Sequence, residues 1–287
     1  MKNLNPIAKP HIDFLVAIRD ARKTSGGINH KAVITGEHAA IVAQYNAFSQ
    51  LLQQRKLASI TASARLKPIS ISLRGCYTGK SAGIKSLKSA IKDAQPKRRL
   101  KFCPMCGVSR PSTYDHYLPG IRFPEFSVHP LNLVPCCSIC NSTKDDDFLN
   151  QAGTLQYLHL YSDLIPTTPF LVVQLQSRPP AKAPGAAFSI SRPSGFNLVA
   201  WALIERHYER LHLLERYSED ANDEIEEILE SCAVHLSNGG KSARKFLRTF
   251  ATQRAALYGD SDWRVVLTRE LMLWTKLKAT VEALDLE

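Results

Sequence analysis

Apolar residues recur at helical spacing along much of the chain. Residues 37–56 carry such a pattern, and residues 81–94 place Ile84, Leu87 and Ile91 on one face with lysines on the other. After Gly195 the pattern predicts helices almost to the end. These helices are predicted over residues 198–217, 221–235, 242–258 and 262–284. The spacing therefore predicts a mostly α-helical protein.

Three short stretches predict strands instead. Residues 69–73 alternate Ile and Ser before Leu73, which predicts a short strand. Residues 169–175 and 187–191 are predicted to form the two strands of a hairpin. The Pro- and Ala-rich residues 178–185 between them predict a turn or loop. With the helices, these strands predict an α+β fold.

Composition divides the chain into four predicted segments. They are a basic, mainly helical region over residues 1–100, a cysteine-containing core over 101–153, a hairpin and loop extension over 154–195, and a helical region over 196–287. The formal net charge is +11, and residues 1–101 carry 19 Lys or Arg against 4 Asp or Glu. A positive field of this size attracts polyanions, of which nucleic acid is the usual one. The alternative is a solvated basic face without a ligand.

Two features of the sequence bear on location. The chain contains no run of about 18 apolar residues, so no transmembrane helix and no membrane partner are predicted. The first residues lack the apolar stretch and small-residue cleavage site of a secretory signal. We therefore expect a cytoplasmic protein.

The seven cysteines include two Cys-x-x-Cys pairs. The first pair is Cys103 and Cys106, and the second is Cys137 and Cys140. Four thiolates complete a tetrahedral zinc shell, which predicts a structural zinc ion without an open position. Two buried cysteine pairs, or a redox dithiol, are the alternatives. The other three cysteines are expected to be small buried thiols; they are Cys76, Cys136 and Cys232.

The polar residues between the two pairs form an ordered series. Asp115-His116 is followed by Pro119, Asn132-Leu133 by Pro135, and Cys140 by Asn141 and then Lys144. Residues 103–144 thereby resemble the zinc-knuckle branch of the HNH endonuclease superfamily. The resemblance implies a ββα-metal core, in which two short antiparallel strands face a helix and one divalent ion lies between them.

The resemblance also implies a role for each matched residue. His116 corresponds to the general base and Asp115 to a ligand of the catalytic ion, which would be Mg²⁺ or Mn²⁺. Asn132 corresponds to the residue that braces the loop between the strands, and Asn141 to a second ligand of the ion. Successive strand residues face opposite sides, so Asp115 and His116 reach one ion only if the strand twists or bulges there. Otherwise Asp115 would only orient a neighbour.

Five further residues are candidates for contacting the substrate. They are Lys144, His129 and the basic residues Lys97, Arg98 and Arg99. Residues 75–81 are similar to a phosphate-binding loop but have three residues between the glycines where that motif needs four. We therefore expect no nucleotide site there. The acidic residues 145–147 are expected to be a solvated edge.

These features predict a DNA endonuclease that nicks or cuts a duplex, with RNA left open as a substrate. The alternative is a zinc-stapled adaptor for nucleic acid or protein with an inactive nuclease centre. Residues 218–230 are strongly acidic, which indicates either a solvated helix face or a docking surface for a partner subunit or a second copy. Free HNH proteins of this shape resemble effectors of bacterial mobile elements and antiviral defence, which is an analogy of family only.

Overall fold

The computed structural model describes residues 1–177 and 183–284. About 54% of the protein is helical, and the described residues form three two-stranded antiparallel sheets, which confirms the α+β class. The chain forms two compact units. The N-terminal unit comprises residues 3–105 and 110–163, and the C-terminal unit comprises residues 1–2, 106–109 and 164–287. The four-segment division stays a prediction.

The N-terminal unit contains six helices and four short strands within its described residues. The helices are α1 (His11–Asp20), α2 (His30–Gly36), α3 (His38–Gln53), α4 (Ser70–Thr78), α5 (Ala82–Asp93) and α6 (Ser138–Lys144). The strands are β1 (Thr24–Ser25), β2 (Ile28–Asn29), β3 (Thr113–His116) and β4 (Leu133–Cys136). Helices α3 and α5 confirm two of the predicted helices. Ser81 caps α5 by accepting a hydrogen bond from the Ile84 amide, which fixes where that helix begins.

The strand predicted over residues 69–73 is wrong, because residues 70–73 belong to helix α4 and Ile69 ends the 3-10 helix before it. Ile71 is 68% exposed, whereas Ser72, Leu73 and Cys76 are buried. Burial at these positions follows the helical period, and five alternating residues were too few to distinguish it from a strand. The segment that is similar to a phosphate-binding loop therefore lies mostly within a helix.

The C-terminal unit pairs one hairpin with five helices within its described residues. The strands are β5 (Leu171–Gln176) and β6 (Gly185–Ile190), and the helices are α7 (Leu198–Arg210), α8 (Leu213–Ser237), α9 (Ala243–Tyr258), α10 (Trp263–Leu273) and α11 (Leu277–Glu282). Both predicted strands are confirmed, with Leu171 opposite Ile190. Most of the predicted turn, residues 178–182, lies outside the described residues. The break between α7 and α8 falls at His212, whose φ of 51° no regular helix accommodates.

Helix α8 is tied to its neighbours by a buried carboxylate. Glu224 accepts a hydrogen bond from Arg264 Nε at 2.8 Å and pairs with Arg254 on its other oxygen. Two guanidinium groups therefore neutralise one carboxylate inside the C-terminal unit. None of the helices in residues 1–177 and 183–284 is both long enough and apolar enough to span a bilayer.

Candidate metal centre and active site

Four cysteine thiols converge on one point. Their sulfur atoms all lie within 4.8 Å of one another, and each residue is at most 2% exposed; the residues are Cys103, Cys106, Cys137 and Cys140. Backbone amides donate to three of these sulfurs: Cys137 to Cys103 Sγ and Val108 to Cys106 Sγ, both at 3.4 Å, and Cys140 to Cys137 Sγ at 3.5 Å. Such donors stabilise thiolate charge, so the donor set suits a tetrahedral ion such as zinc.

The three remaining cysteines are buried, at no more than 1% exposure. Burial raises the pKa of Cys76 and of Cys232 to about 11, so both stay protonated at neutral pH. Cys136 ends strand β4, and its Sγ lies 3.9 Å from Asn141 Oδ1. Cys136 therefore contacts the candidate site residue Asn141 and is not one of the four clustered cysteines.

Strands β3 and β4 bring the candidate catalytic residues together ahead of helix α6. The antiparallel register is uninterrupted, with Asp115 opposite Val134 and His116 opposite Leu133. A regular register places adjacent side chains on opposite faces of the sheet. The strand pair therefore contains no bulge, and Asp115 and His116 extend from opposite faces of β3.

His116 is held by a backbone carbonyl. Its Nε2 atom lies 2.9 Å from the oxygen of Ser127, and its ring meets the ring of Tyr77 edge-on with centroids 4.4 Å apart. Because a carbonyl oxygen only accepts hydrogen bonds, Nε2 carries the proton and Nδ1 keeps its lone pair. Burial lowers the pKa of His116, and the Ser127 carbonyl opposes this only in part. The imidazole is therefore neutral at pH 7 and able to accept a proton at Nδ1.

Asp115 forms a buried ion pair. Lys144 Nζ lies 3.2 Å from Asp115 Oδ1 and also donates to the His116 carbonyl at 3.0 Å. Burial raises the pKa of Asp115, and the Lys144 ammonium counteracts that rise. Lys144 is 0% exposed, so the prediction that it contacts a substrate phosphate is corrected. It anchors helix α6 to strand β3 instead.

The second oxygen of Asp115 is available for a ligand. Asp115 Oδ2 is buried and has no hydrogen-bond partner within residues 1–177 and 183–284. Asn141 supplies a further oxygen from α6 and is half-buried. Carboxylate and amide oxygens are the donors that hard divalent cations prefer, and an unpaired buried carboxylate oxygen is costly without one. Both residues therefore carry oxygen donors of the kind that suits a divalent cation.

Asn132 cross-links the loop between the two strands through side-chain hydrogen bonds. Its Oδ1 accepts from the Leu118 amide at 2.7 Å, and its Nδ2 donates to the carbonyls of Leu118 and Phe126, both at 3.1 Å. Asn132 is 0% exposed, so these bonds form inside the protein. The loop carries Ser127, and Asn132 therefore helps to position the carbonyl that holds His116.

Two other predicted substrate contacts are corrected by burial. His129 is 0% exposed, and its Nδ1 accepts from the Leu131 amide while its ring packs on Tyr45 and Phe48. Arg99 is only 5% exposed, unlike its exposed neighbours Lys97 and Arg98. His129 is thus a core residue of the loop, and Arg99 does not face a ligand in solution.

Lys97 and Arg98 line a cleft at one end of the β3–β4 hairpin. The basic cleft has a volume of about 710 Å³ and carries five cations: Lys92, Lys97, Arg98, Lys101 and Arg110. Asp93 is the one carboxylate in its lining. Lys92, Lys101 and Arg110 were not among the predicted substrate contacts, and they line the cleft from different segments of the chain. Only the general excess of positive charge pointed to them.

A pair of tyrosines connects the basic cleft with His116. Tyr114 lines the cleft and lies two residues before His116 on the same face of β3. Lys88 Nζ lies 4.6 Å from the centre of the Tyr77 ring and 5.5 Å from that of Tyr114. Tyr77 in turn contacts His116. Cationic and aromatic groups therefore run from the cleft to the imidazole.

Comparison with known proteins finds one partial similarity. Protein ea31 of Escherichia phage lambda is 29% identical over 131 residues, which cover 44% of this chain and 43% of the phage protein. The match thus spans less than half the length of that relative. No protein-family model matches the chain. No solved structure matches it either.

Proposed function

We propose that this protein is a metal-dependent endonuclease of the HNH type that hydrolyses phosphodiester bonds of DNA. The observation that carries the proposal is the setting of His116. Its Nε2 is occupied by the Ser127 carbonyl at 2.9 Å, which leaves Nδ1 as the atom that can accept a proton. The imidazole contacts the Tyr77 ring, over which the Lys88 ammonium lies. A positioned base of this kind contributes roughly 10²–10⁴-fold to a hydrolysis rate.

The local architecture supports the same proposal. Two antiparallel strands, a loop braced by Asn132 and a short helix follow one another in the order that an HNH core requires. The four-cysteine cluster holds both ends of this segment, because one cysteine pair precedes β3 and the other begins at α6. In the proposal, zinc at this cluster is structural and keeps the strand pair and helix in place.

Each candidate residue has a chemical role in the proposed reaction. His116 Nδ1 accepts a proton from the water that attacks the phosphorus atom. Asn141 Oδ1 would hold Mg²⁺ or Mn²⁺, which would supply charge stabilisation to the phosphorane and to the leaving oxygen. Asp115 extends from the opposite face of β3 to His116 and instead orients Lys144, which donates to the His116 carbonyl. Lys144 pairs with Asp115 and opposes the rise in its pKa that burial causes, and Asn132 keeps the loop that orients His116 in place. Asn132 and Lys144 are therefore positioning residues.

A plasmid-nicking assay tests the proposal. Supercoiled DNA is incubated with the zinc-loaded chain and Mg²⁺ or Mn²⁺, and the nicked and linear forms are measured. We expect His116→Ala to lose at least about 100-fold in rate, as removal of a general base does. His212→Asn is the matched control, since His212 is 65% exposed in the C-terminal unit and its left-handed backbone suits Asn.

The same assay separates the nuclease from the adaptor. A wild-type protein that binds DNA but leaves the plasmid supercoiled with either metal would favour the zinc-stapled adaptor. Cleavage that persists unchanged in His116→Ala would contradict the assigned base. The ratio of nicked to linear product is also measured at several protein concentrations. A larger share of linear product at higher concentration would show that two copies act together.

A partner for the C-terminal unit is part of the proposal. The acidic residues 218–230 lie in α8, which buries Ala221, Ile225 and Ile228 on its other side. Glu224 is buried with its two arginines, whereas Glu219, Asp223, Glu226, Glu227 and Glu230 are exposed to solvent. We propose that a partner subunit or a second copy docks at this face, as in an effector of defence or of a mobile element. Light scattering measures the molar mass of the chain alone and of Glu226→Lys. A dimer that Glu226→Lys dissociates would support docking of a second copy.

A further inference from the structure

The basic cleft combines two kinds of surface that differ in chemistry. Its rim carries the five cations named above, which come from the end of α5, the segment after it and the residue Arg110. Its walls also contain apolar groups, which are Pro96, Leu100, Pro111, Tyr114 and Pro135. A flat basic face would suffice for the outer backbone of a duplex. A recess with an apolar wall and a charged rim suits a ligand that has both a ring and a phosphate.

The size of the cleft narrows the choice of ligand. Its volume of about 710 Å³ lies in the range of pockets that enclose small organic molecules, roughly 300–1,000 Å³. The bases of a duplex are stacked and paired, so they cannot enter such a recess. Unpaired nucleotides can enter, since their bases stack on aromatic and apolar groups while their phosphates meet Lys and Arg.

The position of the cleft relates it to the candidate active site. Tyr114 belongs to both the cleft wall and the face of β3 that carries His116, and Lys88 spans Tyr114 and Tyr77. A strand bound in the cleft would therefore run along cationic and aromatic groups to the imidazole. We propose that the basic cleft binds an unpaired segment of a nucleic-acid strand next to the phosphate that His116 acts on.

This inference rests on the proposed action on nucleic acid and names the form of the substrate. It predicts that the preferred substrate carries single-stranded nucleotides, as in a gap, a flap or a displaced strand. The chemistry of recognition is shared by DNA and RNA, because phosphates and base faces occur in both.

Fluorescence anisotropy on the zinc-loaded full chain tests the cleft. The chain carries His116→Ala so that the probes stay intact, and the probes are a labelled single-stranded DNA of about 16 nucleotides, the RNA of the same sequence and the DNA duplex. We expect at least one single strand to bind more tightly than the duplex. The comparison of DNA with RNA then identifies the source. A duplex that binds as tightly as both single strands would overturn the proposal.

Three variants distinguish binding in the cleft from general electrostatic attraction of nucleic acid to the basic protein. Lys97→Gln with Arg110→Gln removes two rim charges and should lower the salt dependence of single-strand binding by about 1.4 in the logarithmic slope. Lys278→Gln removes a charge from a side chain that is 82% exposed in the C-terminal unit, and should leave binding to the cleft nearly unchanged. Ser112→Leu fills the exposed edge of the cleft without changing its charge and should weaken single-strand binding more than duplex binding.

The outcomes separate this inference from the proposed function. In one outcome the wild-type chain nicks DNA with metal, but Ser112→Leu leaves single-strand binding unchanged. This outcome would contradict the proposed role of the cleft and would still support the nuclease. Single-strand binding that both cleft variants weaken, in a wild-type chain that never cleaves DNA, would support the cleft and contradict the nuclease. Circular dichroism of each variant confirms that the fold is retained.

Discussion

Lys144 Nζ lies 3.2 Å from Asp115 Oδ1, and the two side chains are 0% and 4% exposed. The pair joins the end of helix α6 to strand β3, and Lys144 also donates to the His116 carbonyl at 3.0 Å. One ammonium group therefore orients the two adjacent residues on which the proposed chemistry depends. It does so from the protein interior, without contact with a substrate.

The first prediction concerns this ion pair. Lys144→Met leaves the Asp115 carboxylate buried without a counter-charge, so we expect the free energy of unfolding to fall by about 3–5 kcal/mol. Asp115→Leu combined with Lys144→Met removes both charges and should recover most of that loss. Urea denaturation measures the free energy of unfolding of the wild type, the single variant and the double variant. Lys278→Met, at an exposed position, is the control. Equal losses in the single and double variants would show that the pair contributes no coupling.

The second prediction concerns the four-cysteine cluster. We expect about one zinc ion per chain by elemental analysis, since four thiols fill a tetrahedral shell. Cys140→Ser should lose most of this zinc and unfold at lower temperature, because metal binding is coupled to folding. Cys232→Ser alters an equally buried cysteine outside the cluster and should keep its zinc. Stoichiometric zinc in Cys140→Ser would contradict the assigned ligands.

The third prediction concerns the loop between the strands. Asn132→Leu removes the partners of the Leu118 amide and of two carbonyls, so we expect a loss of about 3 kcal/mol in the free energy of unfolding. The loop carries Ser127, so the nicking rate should also fall at temperatures where the variant is fully folded. Unchanged nicking by a folded Asn132→Leu protein would show that His116 does not depend on this loop.

The fourth prediction concerns stability against pH. Burial lowers the pKa of His159 to about 4 from 6.5, so the unfolded chain binds more protons between these values and stability rises with pH. Burial raises the pKa of Asp163 to about 6 from 3.8, so the folded chain binds more protons there and stability falls with pH. The two slopes oppose each other between about pH 4 and pH 6.

Asp163→Asn removes the second slope. Urea denaturation of this variant should show the free energy of unfolding rising more steeply between pH 4 and pH 6.5 than in the wild type, by about 1–3 kcal/mol over the window. Asp223→Asn, at an exposed position in α8, should keep the wild-type slope. Parallel curves for Asp163→Asn and wild type would mean that Asp163 titrates as an exposed carboxyl does.

Local patterns in the sequence predicted local structure well. The apolar face of α5 and the apolar run at the start of β5 each extend over enough residues to identify the element. The strand prediction for residues 69–73 was wrong because a five-residue alternation also fits a helix with Leu73 and Cys76 on its buried side. The cysteine pairs were informative because their spacing reflects the geometry of one ion.

Contacts between distant residues could not be predicted in the same way. Lys144 is 29 positions from Asp115, and a lysine at the end of a short helix is usually exposed, so its burial has no local signal. His129 and Arg99 have sequences around them that fit a surface as well as an interior. The basic cleft depends on Arg110 meeting the end of α5, which only the folded chain brings about.

The most direct test of the account is chemical rescue at His116. We expect His116→Gly to lose at least about 100-fold in the metal-dependent nicking rate, and added imidazole to restore a substantial part of it as the missing base. The restored rate should rise with pH in step with the free-base form of imidazole. A His116→Gly protein that nicks DNA at the wild-type rate, or a folded and inactive one that imidazole never rescues, would contradict a general base at this position.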